Sequence, residues 1–250
     1  MTGDIGNMKY KLLFSLLLTV AVSVDADNEI SVTQSGNTAS IDLEQLGSSN
    51  LIGGTSATTG SMTALDLDGV SMILDINQIG SSNQFLSDAI DGDNFTGFFE
   101  FDGDSNVWDL LINSTGGEIS DYINMNIDVT GSSNEADIKI AENDDASYLN
   151  LDWIILGDSN TFDFDIDYAN AVNYMDINGS TNTINFTASG YAGNTSSDSG
   201  YFYLELDGST NTFNINQSST LARDYLKIIA NTSNSNICVT QNDGGSSTGC

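Results

Sequence analysis

Three observations predict an all-β fold, a β-solenoid of stacked strand-turn-strand layers. A turn motif G-[SD]-[ST]-N starts at Gly47, Gly80, Gly103, Gly131, Gly157, Gly179 and Gly208. Apolar and polar residues alternate on both sides of nearly every copy, the period of an extended strand with one dry face and one wet face. The register is fixed throughout: the turn asparagines Asn50, Asn83, Asn106, Asn134, Asn160, Asn182 and Asn211 all share the parity of the apolar set.

Residues 1–26 read as a secretory signal peptide. Lys9 and Lys11 precede the apolar run Leu12 to Val22, and Val24-Asp25-Ala26 offers a small residue for cleavage. The apolar run is too short for a bilayer anchor, and Met8 is the better start, since Thr2 to Asn7 add an acidic leader that a signal does not need. The expected β-solenoid covers 27–241, followed by a Gly/Ser-rich tail, 242–250, with a Cys.

The first arm is Ile30-Ser31-Val32-Thr33-Gln34, followed by a turn at Ser35-Gly36-Asn37. Beyond it Ala39, Ile41, Leu43 and Gln45 share the inward parity, with Ser40, Asp42 and Glu44 opposite. Around Gly80 the inward set is Met72, Leu74, Ile76 and Gln78. Around Gly103 it is Phe99, Phe101, Trp108, Leu110 and Ile112; around Gly131, Ile123, Met125, Ile127 and Val129, then Ala136, Ile138 and Ile140. Leu151, Trp153, Ile155, Phe162, Phe164 and Ile166 flank Gly157, with Asp163, Asp165 and Asp167 facing out. Met175, Ile177, Ile184 and Phe186 flank Gly179, and Phe202, Leu204, Leu206, Phe213, Ile215 and Gln217 flank Gly208. The last arm, Ile237-Cys238-Val239-Thr240-Gln241, echoes the first and places Cys238 where Ser31 sits, facing outward.

A two-residue hairpin favours Asn before Gly. Here Gly comes first and Asn last, so the two arms are expected to face each other through side chains while their backbones bond to the layers above and below. Gly supplies the unusual angles and the inward Asn bonds along the stack to its equivalent. The Gly-to-Gly steps of 33, 23, 28, 26, 22 and 29 residues fit coils with insertions on the side opposite the turns. Gly53 to Ser61, Ser87 to Thr96, Ser114 to Ser120, Ala141 to Ser147 and Ser189 to Gly200 read as those surface loops. With two degenerate ends the stack comes to about nine layers, roughly 40 Å tall at ~4.8 Å each.

Gln45-Leu46-Gly47-Ser48-Ser49-Asn50 and Gln78-Ile79-Gly80-Ser81-Ser82-Asn83 carry Q-x-G-x-x-N, and Asn37-x-Ala39 with Gln45, and Asn211 with Gln217, carry the arm that closes on Gln. The chain thereby resembles the curlin repeat family. The resemblance implies an exported subunit of curli-like amyloid fibres used in adhesion and biofilm matrix, with inward Gln34, Gln45, Gln78, Gln217 and Gln241. Later turns depart from it: only the first two full turns keep the Gln, and Asp102, Thr130, Leu156, Asn178 and Asp207 stand just before the later glycines. A monomeric or trimeric β-solenoid adhesin, binding carbohydrate through its loops and exposed Tyr191, Tyr201 and Tyr203, is the alternative from a different class.

The charge excludes several functions. The chain carries 35 acids and 5 bases, a net charge of -30. Removing the leader takes two of each (Asp4 and Asp25, Lys9 and Lys11), leaving 33 acids against 3 bases, still -30. Lys139, Arg223 and Lys227 cannot neutralise a phosphate backbone, so nucleic acid is excluded as a partner. The partners expected are other copies of the chain and a secretion machinery, with no transmembrane anchor. There is no His and no nucleophile elbow or phosphate loop, and the carboxylates read as the wet faces of strands, so an enzyme is not expected. Cys238 and Cys250 suit a disulfide in an exported protein, either tying down the tail or linking chains.

Carboxylates one layer apart repel by ~1 kcal/mol even in bulk water. Either the acids are staggered from layer to layer or cations sit among them. No cofactor is required, but Ca²⁺ suits oxygen-rich loops such as those of Asp91 and Asp93 and of Asp144 and Asp145. Transfer from chelator to millimolar Ca²⁺ is accordingly expected to raise the melting temperature, and an unchanged value would rule calcium out.

Overall fold

A computed structural model of the chain describes residues 29–30, 32–36, 38–53, 65–112, 122–140, 148–168, 171–190, 199–219 and 223–242. The expected leader, the tail with Cys250, Asp144, Asp145 and Tyr191 lie outside the described residues, as do 54–64, 113–121, 141–147 and 191–198.

Among the described residues the protein is all β. The strands are β1 (Glu29–Ile30), β2 (Thr33–Ser35), β3 (Ala39–Leu46), β4 (Leu51–Ile52), β5 (Leu65–Ile79), β6 (Gln84–Asp102), β7 (Val107–Ile112), β8 (Tyr122–Thr130) and β9 (Glu135–Ile140). They continue with β10 (Leu149–Leu156), β11 (Thr161–Tyr168), β12 (Ala171–Asn178), β13 (Thr183–Gly190), β14 (Ser199–Ser209), β15 (Thr212–Ser219), β16 (Arg223–Ser233) and β17 (Asn236–Asn242).

All of their pairings are parallel and make a β-solenoid. The arms that lead into the turns stack on one face in the order β3, β5, β6, β8, β10, β12, β14, β16. On the opposite face β1 and β2 pair with β4 and the start of β5. That ladder runs on through β6, β7, β9, β11, β13, β15 and β17. Flanking Gly157, β10 bonds to β8 and β12, while β11 bonds to β9 and β13. Their contact with each other is made by side chains, as in Trp153 meeting the edge of Phe164 at 4.5 Å between centroids.

Between the faces lies one thin core, in which the inward residues of the internal layers are buried as the parity requires. Aromatic rings fill its width: Phe101 stacks on Trp108 at 3.9 Å and Phe186 on Phe202 at 4.3 Å. Each such ring contributes roughly 1.5–3 kcal/mol by leaving water. Gly97 is small because the rings of Phe95 and Phe99 occupy the space of its absent side chain. Asn173 is the exception, buried in register between Leu151 and Phe202 with neither amide atom hydrogen-bonded, and nothing in the structure explains it.

Two expectations are corrected. Ser87 to Thr96 is not a surface loop but part of β6, which passes through a corner at Gly92 and pairs with β5 on either side of it. Gly36 does not belong with the G-x-x-N turns; it stacks with Gly69 in a second column of corners on the other edge of the coil, its N–H donating to the Asp68 carbonyl at 2.9 Å. Small, flexible residues signal a change of direction, and that signal does not say which edge of a coil the chain is rounding.

Candidate functional site

The column of turns organises the molecule. In each turn the Gly N–H donates to the carbonyl that precedes the next Gly in the stack, at 2.8–3.0 Å. The third residue donates to the second residue of the next turn at 2.9–3.0 Å. Side chains add a further string of bonds. The Asn50 N–H donates to Asn83 Oδ1 at 3.1 Å, Asn83 to Asn106 at 2.8 Å, and Asn106 to Asn134 at 2.8 Å. Asn134 donates to Asn160 at 2.9 Å, Asn160 to Asn182 at 2.8 Å, and Asn182 to Asn211 at 2.8 Å. In the later turns the amide also donates back to the preceding Gly carbonyl: Asn160 to Gly131 at 3.1 Å, Asn182 to Gly157 at 3.0 Å, and Asn211 to Gly179 at 2.8 Å. From Asn83 onward each Asn thus reads the backbone of the layer before it, and does not pair side chain to side chain.

The backbone divides the strain in a way the sequence did not disclose. Gly80, Gly103, Gly131, Gly157 and Gly208 have φ of +132° to +143°, and a Cβ on any of them would strike the carbonyl of the Gly beneath. The third residue, Ser49, Ser82, Ser105, Ser133, Ser159, Thr181 or Thr210, is left-handed with φ of 59–65°. A β-branched Thr in that region is unusual, and it is held there by the hydrogen bonds above and below. An eighth turn, Thr232 to Ser235, continues the column without Gly: Asn234 takes φ of 57° and Ser235 Oγ accepts the Asn211 N–H at 3.1 Å. Ser-Asn-Ser placed after the alternating Leu226 and Ile228 was the available signal for it.

The glutamines form two short amide ladders, with Gln78 donating to Gln45 and Gln241 to Gln217, both at 2.9 Å. Gln34 is half-buried and starts the register column that ends in Gln217 and Gln241. Cys238 is disulfide-bonded, and the one other cysteine of the sequence is Cys250.

The acids are only partly staggered: Asp42 and Asp75, Asp68 and Asp91, Glu100 and Asp128, and Asp176 and Glu205 are register partners, and Asp109, Asp137 and Asp163 stand in three consecutive layers. Lys139 lies 3.6 Å from Asp137 and relieves part of the repulsion. Partial burial first, then Asp137, pushes Asp163 above the usual carboxylate range, with Lys139 acting the other way. Burial and Asp128 raise Asp152; burial, then Glu205, Asp152 and Asp207, raise Asp176. Asp91 and Asp93 lie at the second corner, beside a cavity of about 140 Å³ that Asp68 also lines. Among the described residues no group of three or more His, Cys, Asp or Glu is arranged to hold a metal ion.

Tyr174 and Tyr203 stack on an outer face at 4.8 Å, nearly parallel, and Lys227 Nζ lies 4.8 Å from the Tyr203 ring centroid. No helix among the described residues is long and apolar enough to cross a membrane. Compared with family models, curated proteins and solved structures, the chain matches none.

Asn160→Ala removes an acceptor, a donor and the buried amide together, and is expected to cost about 1–3 kcal/mol in denaturant unfolding, more than Asn124→Ala on the wet face. The raised Asp152, Asp163 and Asp176 mean that the folded chain binds more protons than the unfolded one just above the carboxylate range, so stability falls as pH rises through that window. The melting temperature should therefore rise on acidification from neutral towards about pH 5, and a steady fall over that interval contradicts these assignments.

Proposed function

We propose that this chain is a structural subunit of secreted, self-assembling, curli-like fibres serving adhesion or a biofilm matrix. The observation that carries the reading is the greater exposure of the two end layers among the described residues. In internal layers the inward residues are buried, whereas Ile30, Val32, Ala39, Ile41 and Leu43 at one end, and Leu226, Ile228 and Ile237 at the other, are only partly so. Val239 is 38% exposed, while Ile215, its register partner one layer in, is 2% exposed. Edge strands of a soluble sheet are ordinarily blunted by Pro, by inward charge or by a covering element. The chain has no Pro, and the inward positions of these end strands carry apolar residues and Gln.

The rest of the reading follows from the sequence. About nine layers are assigned, one per G-x-x-N turn and one at each end, in a chain exported by its leader through a dedicated secretion machinery. Calcium is assigned as the countercharge of the acids. No chemistry beyond assembly is assigned: the turn asparagines from Asn83 onward are engaged in vertical hydrogen bonds, and the acids lie on wet faces.

A second reading, a surface adhesin that binds carbohydrate, is favoured by one observation: the outward tyrosines Tyr174, Tyr201 and Tyr225, all exposed, gather with Tyr203 near one end of one face. Electron microscopy of the purified protein separates the two. Unbranched fibres that lengthen with time are expected; persistent monomers in calcium buffer together with glycan-array binding would give the second reading instead.

A further inference from the structure

The fibre reading leaves open how one copy joins the next, and the layer order makes plain stacking incomplete. The coil begins on the face of β1 and β2 and ends on the same face with β17. If β17 of one copy simply met β1 and β2 of another, that face would be continuous. The other face would lack one arm between β16 and β3, a gap of about 4.8 Å on top of the normal spacing.

The two terminal arms are also interchangeable. Ile30 and Ile237 head and close one register column, which runs through Ile52, Phe85, Trp108, Ala136, Phe162, Ile184 and Phe213. Gln34 and Gln241 head and close another, through Leu67, Ile90, Ile112, Ile140, Ile166, Ala188 and Gln217. The first and last arms, I-S-V-T-Q and I-C-V-T-Q, therefore fit the same seat.

We propose, building on the fibre reading, that copies join by strand exchange: β17 of one copy takes the seat that β1 and β2 hold beneath β4 and β5 of the next. The displaced N-terminal arm is a stand-in that closes the edge until a second copy arrives. Both faces then run on without a gap, β16 under β3 and β17 under β4 and β5.

Two independent features of the edge fit this joint. Asn50 is 1% exposed, yet its Oδ1 has no hydrogen-bond partner; its Nδ2 is unpaired as well, as it is in Asn83, Asn106 and Asn134 of the internal layers. In the following layers the equivalent Oδ1 accepts an N–H from the turn before it. Exchange brings the Thr232 to Ser235 turn of the other copy into that place, where the Ser235 N–H faces Asn50 Oδ1 and the Thr232 carbonyl faces Nδ2. A buried acceptor left unpaired carries a desolvation cost that this contact removes, which favours the joint. Charge agrees: Lys227 ends the outward column that starts with the exposed Asp42, so exchange places this ammonium over that carboxylate. Strand addition of this kind needs no new fold, only the same contacts made between copies.

The test uses the full chain with paired cysteines, followed by electron microscopy and non-reducing gels. Thr33 and Asp66 are register partners, so T33C/D66C locks the N-terminal arm in its own seat. Loss of fibre growth is expected when this variant is oxidised, with recovery on reduction, wild type in the same reductant being the control. D66C/T240C should form covalent multimers, whereas T33C/T240C should do so only if the arms merely stack. Asp42→Lys and Lys227→Asp should each lose growth, and an equimolar mixture should regain it, which excludes misfolding as the cause. Fibres whose growth ignores the T33C/D66C lock, cross-linked through T33C/T240C, would overturn the exchange and leave the fibre reading standing. Wild-type protein that never forms fibres would overturn both.

Discussion

One constraint governs this molecule: each layer must lie in register on the one before it, because the groups it cannot satisfy itself are satisfied there. The Asn string makes the constraint explicit, since Asn134 completes a bond to Asn106 and needs Asn160 to complete its own. Backbone sterics enforce the same register, because from Gly80 to Gly208 the Gly of each turn sits where a side chain would strike the carbonyl below. A slip of one residue would bring the inward apolar set of an arm to the wet face, so chemistry and packing select a single alignment.

Electrostatics works against this order. Parallel in-register stacking places like positions on top of one another, and a chain with 35 acids and 5 bases must stack carboxylates or separate them. It does both: Asp42 stacks directly on Asp75, but their column then continues through Phe98, Asn126, Asp152, Tyr174 and Tyr203 to Lys227. Where three acids do follow one another, at Asp109, Asp137 and Asp163, Lys139 is close by. Two of the three bases of the described layers have evident places: Lys139 relieves an acid column, and Lys227 stands in the last layer of its face.

The same constraint bears on function. The turn asparagines from Asn83 to Asn211 are committed to vertical bonds, and the layers at either end of the described residues are less covered than those between them. Curli-like assembly is the proposal that uses those ends, and the strand exchange is its mechanical form. The stacked tyrosines near one end are a separate surface feature that assembly does not require.

Much of the fold was legible in the residues. Period-two alternation around seven Gly-x-x-Asn turns determines which side chains are inward, because an extended chain has only two faces, and residues such as Trp153, Phe164 and Leu204 are buried accordingly. Other features depend on which layers meet. Gly36 and Gly92 looked like a turn and a loop until their stacking placed them at a second corner, and Ser235 was invisible as a substitute for Asn until Asn211 was found bonded to it. That Ile30 to Gln34 and Ile237 to Gln241 look alike is written in the sequence. That they occupy one register column on the same face, so that the coil ends where it began, only the tertiary structure decided, since a strand's neighbours in a solenoid are set by how many layers are wound between them.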